Sequence, residues 1–171
     1  MPAQILVRTA TPDDARRIHR LITTHAAEGH LLARTRADVT EHAGRFLVAT
    51  SRGRIVGCAE LAPLSAAVAE VRSLVVASRC RGRGVGRTLI NRLRLRARRA
   101  GFEQLCAFTH SPEYFLRLDF SIVSHASVPE KIETDCRQCP LFGRCGQYAL
   151  VDDLGVAAAP HVSPIVVLPA R

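Results

Sequence analysis

The sequence predicts an α/β fold, one domain around a mixed sheet, and three observations carry that prediction. Apolar runs at 46–49 and 54–61 flank the turn Ser51-Arg52-Gly53 and read as a hairpin. Glu70-Val71-Arg72-Ser73-Leu74-Val75-Val76, the strongest strand signal, leads through a basic glycine loop into an amphipathic helix. A further strand, Gln104 to Phe108, follows that helix. The chain has 171 residues, enough for one domain with its own core and no staple of disulfides or metal.

The remaining elements follow in order. Gln4 to Arg8 reads as a short strand. Thr11-Pro12-Asp13-Asp14 then starts a helix, with a hydroxyl cap, a proline in the first turn and acids at the positive helix end. Ile18, Leu21 and Ile22 recur at helical spacing along it. A second helical stretch covers about 37–44. The helix after the glycine loop runs to about Ala100, where Gly101 ends it. Pro112 to Leu118 is a short helix and Ser121-Ile122-Val123 is extended. A cysteine-bearing segment at 131–150 and an apolar tail at 151–171, with a last strand at 164–168, complete a single domain over 1–171. No internal repeat or linker interrupts it.

Composition narrows the function. Hydrophobic residues make up 47% and charged residues 23%, which excludes disorder, a coiled coil and collagen-like repetition. No apolar run reaches the roughly 18 residues of a membrane-spanning helix. Met1-Pro2-Ala3-Gln4-Ile5 lacks a basic-then-apolar signal pattern, so a cytoplasmic protein is expected. The formal charge is +9, and the 24 basic residues are 23 arginines and Lys131. Nine of the arginines lie between Arg79 and Arg99, where no acid occurs; outside that stretch, 15 basic residues face 15 acidic ones. The surplus is therefore local. Either the arginines cover a solvated helix, or they frame an anion site for nucleic acid, an acidic membrane surface or a phosphorylated cofactor.

Arg79-Cys80-Arg81-Gly82-Arg83-Gly84-Val85-Gly86-Arg87 favours a pyrophosphate-binding loop. Glycines at alternate positions let backbone N–H groups turn toward an anion, and a helix begins there with its positive end. The interleaved arginines add charge-assisted hydrogen bonds. No Gly-Lys-Ser/Thr follows, so this is not a Walker loop; the third glycine comes one residue too early for the dinucleotide fingerprint. A loop that merely makes a tight turn is the alternative.

Leu74-Val75-Val76 followed by Arg81-Gly82-Arg83-Gly84-Val85-Gly86 resembles motif A of the GCN5-related N-acetyltransferases (GNAT), Arg/Gln-x-x-Gly-x-Gly/Ala. The order of elements agrees over nearly the whole chain, and Leu118-Asp119-Phe120 stands where the family has Leu-Gly-Phe. The resemblance implies a mixed, mostly antiparallel central sheet with flanking helices, and acetyl-CoA as co-substrate with no metal. Arg81, Gly82, Arg83, Gly84, Val85 and Gly86, with Arg87 on the first helical turn, would hold the pyrophosphate. Leu74, Val75 and Val76 would pair with the pantetheine arm, and a backbone amide there would polarise the thioester carbonyl. Arginines 81, 83 and 87 are close enough to that anion to matter; those from 92 onward are expected to be solvated.

Direct attack requires a neutral amine, hence a base. Glu70 is the choice, placed by strand alternation on one face with positions 72, 74 and 76; Glu60 is the runner-up, and an ion pair between Glu70 and Arg72 is the structural alternative. The family often protonates the leaving thiolate with a tyrosine five residues before the final phenylalanine. Phe115 stands there, and Tyr114 is rotated about 100° from it on a helix.

Gly29-His30-Leu31-Leu32-Ala33-Arg34-Thr35, Phe46 to Ala49, Ala69 to Leu74 and Lys131 to Pro140 are similar to the short-form N-acetylglutamate synthases, with Leu32-Ala33-Arg34 in place of Leu-Leu-Pro-Arg. Asp135-Cys136-Arg137-Gln138-Cys139-Pro140 with Cys145 is the most distinctive match. The acceptor implied is L-glutamate, whose carboxylates suit the planar arginine fork, with Arg34, Arg72, Ser73 and Thr109 as ligands. Another amino acid or small amine is the competing acceptor.

Cys58 and Cys106 read as core residues. Cys136, Cys139 and Cys145 have metal-like spacing but number three, with His125 or His161 as an unforced fourth ligand, so a reduced cluster, a metal site and a redox disulfide all stand. The expected partners are small molecules, with a homodimer left open and neither nucleic acid nor membrane expected. Two tyrosines, no tryptophan and six phenylalanines offer little for base stacking, which counts against a nucleic-acid module. A non-catalytic acyl-CoA sensor on the same fold is a further alternative.

Overall fold

The computed structural model describes residues 4–26 and 33–155. The family-like segment Gly29 to Leu32, the strand expected at 164–168 and His161 lie outside them. The order of elements is β1 (Ile5–Thr9), α1 (Ala15–Ala26), α2 (Arg36–Glu41), β2 (Phe46–Ser51), β3 (Arg54–Pro63), β4 (Val68–Val76), α3 (Val85–Arg99), β5 (Gln104–Thr109), α4 (Glu113–Leu116), β6 (Ser121–Val123), α5 (Pro129–Thr134) and β7 (Tyr148–Asp153). The strands form one sheet in the order β1-β2-β3-β4-β5-β7-β6, antiparallel throughout except for the β4–β5 pair. A right-handed crossover through a helix is the usual way to make such a parallel pair, and α3 is that helix.

Both sheet faces are covered. Leu89, Ile90, Leu93 and Ala97 of α3 pack on Ala49, Val56, Ala59 and Val71. On the other face Ile18 and Ile22 of α1 and Val39 of α2 meet Phe46, Val48, Cys58 and Val75. Arg52 and Gly53 both have positive φ, 48° and 72°, as a two-residue hairpin turn of the primed type requires. Asp119 has φ 65°, which explains why a glycine is usual between Leu and Phe there: the position is left-handed, and Asp is one of the few other residues that tolerate it.

The start of α1 is an acid-sensitive joint. Asp14 accepts from the Thr11 backbone N–H at 2.9 Å and from the two terminal Arg8 nitrogens, Nη1 and Nη2, at 2.6 and 2.9 Å. The Arg8 hydrogen bonds hold the Asp14 carboxyl at about 2, against its ordinary 3.8. A depressed carboxylate stabilises fully above its ordinary value, and the contribution fades as pH falls toward 2. Asp14→Asn is therefore expected to cost about 1–2 kcal/mol near neutral pH, the worth of that depression discounted for the solvent around half-exposed Arg8. The gap between the two melting temperatures should close as pH drops below the ordinary carboxylate range; a gap independent of pH would contradict the assignment.

Three expectations are corrected. Glu70 and Arg72 do not share a face with Leu74 and Val76. The register runs Cys58↔Val75 and then Glu60↔Arg72, two steps along β3 against three along β4, so β4 carries a bulge at Ser73, whose φ is 50°. One extra residue inverts the alternation beyond it: Val71, Leu74 and Val76 pack on the α3 side, Val75 on the α1 side. Second, the chain from 148 to 153 is a strand rather than a segment boundary and tail, and it lies between β5 and β6. Its polar end obscured it, because Asp152 is spent on Arg94. Third, not all arginines from 92 onward are solvated: Arg94 pairs with Asp152 and lies 5.1 Å over the Phe120 ring, Arg96 donates to Gly44 O, and Arg98 donates to Leu154 O at 2.9 Å.

Candidate active site

Pairing between β4 and β5 stops at Glu70↔Cys106, and beyond it the strands part. The β5 side of Val71–Val76 thus opens onto a cleft of about 1490 Å³, enough for a large ligand together with a small one. The glycine loop closes one end. Gly82 and Gly84 have φ of 73° and 77°, Gly84 caps α3, and a Cβ on either would meet nothing within 4 Å, so the cradle is backbone facing open space. Gly86 is needed for another reason: a Cβ there would fall inside the Tyr114 hydroxyl. Arg81 Nε donates to Val76 O at 3.0 Å, tying the loop to the end of β4. Leu74, Val75, Val76, Arg81, Gly82, Gly84, Val85, Gly86 and Arg87 all line the cleft. Arg83 is exposed and is not among its lining residues.

At the other end the cleft meets a set of ion pairs. Glu70, buried, accepts from Lys131 Nζ at 2.9 Å on each oxygen and from Arg72 Nε at 2.6 Å. Lys131 also reaches Asp135 Oδ2 at 2.7 Å, and Arg72 donates to the same Asp135, closing a ring of four alternating charges. Burial opposes the charge on Arg72, but Glu70 and Asp135 outweigh it and hold the guanidinium pKa above its ordinary value. Arg34, also lining the cleft, bridges Asp38 and Glu60, the latter 1% exposed, with Nη1 to Glu60 Oε2 at 2.8 Å. Glu60 is spent on that pair and does not line the cleft. Ser73 and Thr109 line it, the Thr109 hydroxyl accepting from Ser111 N at 3.1 Å.

Phe115 is buried edge-on to Phe120 at 5.2 Å and has no proton to give. Tyr114 lines the cleft with its hydroxyl against Gly86, and burial raises its pKa, which keeps the phenol protonated. Burial also raises the thiols of Cys58, to about 12, and of Cys106, so neither is a nucleophile. Cys136, Cys139 and Cys145 are free thiols on the cleft wall. Among the described residues no group of three or more His, Cys, Asp or Glu is placed to hold a metal ion, and no helix is long and apolar enough to cross a membrane.

The sequence reading missed Lys131 and Asp135 as site residues. One signal for the first was present: Lys131 is the single lysine beside 23 arginines, and its compact ammonium has three donors, all used here on Glu70 and Asp135. Asp135 follows it by four residues, one helical turn on.

A backbone anion cradle at a helix start, next to an open strand edge, defines an acyl-CoA-dependent acetyltransferase of the GNAT type. The acetyltransferase (GNAT) family pattern matches residues 13–119, and the chain belongs to that family. It is 32% identical over 155 residues to an uncharacterized N-acetyltransferase of Chlorobaculum tepidum, covering 90% of this chain and all of that one. It is 34% identical over 126 residues to the amino-acid acetyltransferase of Ralstonia nicotianae, covering 72% of this chain but 28% of the relative. The N-acetylglutamate synthase of Neisseria gonorrhoeae, solved with coenzyme A and N-acetyl-glutamate, superposes with a TM-score of 0.80 at 27% identity, over 90% of this chain and 36% of that one. The chain thus spans about a third of these last two proteins.

Proposed function

We propose that this chain, as one domain over 1–171, transfers the acetyl group of acetyl-CoA to the α-amino group of L-glutamate in the cytoplasm, the opening reaction of arginine biosynthesis. The observation that carries this is the junction of two sites in one cleft: the glycine cradle at one end and the cations Arg34, Arg72 and Lys131 at the other. The likeness to the Neisseria enzyme supports it.

Residues 81–87 hold the pyrophosphate on backbone N–H groups and the α3 terminus. The open edge of β4 from Leu74 to Val76 pairs with the pantetheine arm, and an amide on that edge faces the developing oxyanion. Arg34 and Arg72 hold carboxylates of the acceptor, with Ser73 and Thr109 as lesser partners. Glu70 takes the ammonium proton, directly or through water. The amine attacks the thioester carbonyl, the tetrahedral adduct gives up its second nitrogen proton to solvent and collapses, and the C–S bond breaks, the leaving thiolate taking a proton from Tyr114 or from water.

One observation favours a second reading, an acceptor other than glutamate. Around Arg34, Arg72 and Lys131 stand four carboxylates, those of Asp38, Glu60, Glu70 and Asp135, so these three cations are already matched. An amino-acid screen by thiol release separates the two. Glutamate is expected to give the highest kcat/KM, and a rate no better than those of aspartate, glutamine or polyamines ends the glutamate reading.

A further inference from the structure

Asp135 differs from Glu70, the other acid of the charge ring. Glu70 is fixed in β4 and 5% exposed at its side chain, whereas the Asp135 side chain is 35% exposed and sits at the end of α5, where the cysteine-bearing cleft wall begins. Its carboxylate is bound by two of the cations that line the cleft, Arg72 and Lys131. Lys131 Nζ is saturated by Glu70 and Asp135 and lies 5.2 Å over the Phe108 ring, so a new anion reaches it only by replacing one of its partners.

We propose that Asp135 is a specificity-determining residue, a displaceable stand-in for a carboxylate of the acceptor; this deepens the functional reading above and rests on it. Exchanging the Asp135 carboxylate for a substrate carboxylate leaves the charge of the ring unchanged. An amine without a carboxylate has nothing to exchange, and separating Asp135 from Arg72 and Lys131 for its sake would leave part-buried cations uncompensated. Asp135 therefore weakens the binding of the right acceptor somewhat, and only an acceptor with a carboxylate of its own displaces it, a form of specificity by built-in opposition.

The test compares wild type with Asp135→Asn and Asp135→Glu under saturating acetyl-CoA, after thermal unfolding has shown that each folds. Asp135→Asn removes the competing charge and leaves the ring with one net positive charge, so KM for glutamate should fall by about tenfold with kcat little changed, and polycationic amines should gain nothing. Asp135→Glu restores a competing carboxylate and should return KM toward wild type. A KM that is unchanged or raised in folded Asp135→Asn overturns the proposal while leaving glutamate as the acceptor. Calorimetry with glutarate, a dicarboxylate that has no amino group, gives a readout independent of turnover. If wild type acetylates no carboxylate-bearing amine, the functional reading fails; tighter glutarate binding by Asp135→Asn would still support the exchange, and equal binding would overturn it.

Discussion

Gly84→Glu is expected to weaken coenzyme A binding by about 100-fold while the protein still folds. The two effects separate because they act through different atoms. Gly84 is left-handed, with φ 77°, so any side chain there costs about 1–2 kcal/mol of backbone strain. Nothing lies within 4 Å of its Cβ position, so no neighbour is displaced, and a carboxylate at the start of α3 is favourable to the helix itself. The same carboxylate stands where the pyrophosphate would sit and repels it. Breaking one charge-assisted hydrogen bond to the phosphates costs about 1.5–3 kcal/mol, and a tenfold change in affinity corresponds to about 1.4 kcal/mol. Gly84→Ala carries the strain without the charge and should lose far less affinity. Calorimetry with acetyl-CoA decides, and a folded Gly84→Glu protein of unchanged affinity would remove the loop from the cofactor site.

Glu70→Gln should lower kcat by about 100-fold or more, the usual contribution of a positioned base. The structure makes this a sharper experiment than the sequence alone allowed. Glu70 accepts three hydrogen bonds from Lys131 and Arg72, so it is also a structural anion. Losing its charge leaves both cations to Asp135 alone, and stability should fall, though by less than the about 3–5 kcal/mol typical when a buried charge loses its only partner. Turnover and stability therefore have to be read together. If Glu70 takes the proton, the variant loses the acid limb of its kcat/KM profile at temperatures where it is fully folded. Should the melting temperature drop while kcat and the pH profile hold, Glu70 only positions Lys131 and Arg72, and the amine gives up its proton elsewhere.

Much of the fold was legible because its signals are local. The primed turn at Arg52-Gly53, the acidic start of α1 at Thr11 to Asp14 and the apolar stripe of α3 each depend on residues a few positions apart, where backbone sterics and helical spacing dictate the outcome. The glycine cradle was legible for the same reason: left-handed φ at Gly82 and Gly84 is a demand on those residues alone. Strand β7 was not, since Asp152 looks polar until Arg94, far away in sequence, is seen to neutralise it.

The sequence by itself determined the class of chemistry, through a concentrated arginine surplus and alternate glycines between a strand and a helix. Tertiary structure decided which side chains face the reaction. A single extra residue at Ser73 inverts strand alternation and separates the Glu70 side from that of Leu74, an event that no period-two pattern records. The ring of Glu70, Arg72, Lys131 and Asp135 joins positions more than 60 apart in the chain, with Lys131 Nζ 2.9 Å from Glu70. Coulomb energy depends on distance through space, and a linear sequence carries that distance only once the sheet has parted β4 from β5 and brought α5 across the opening.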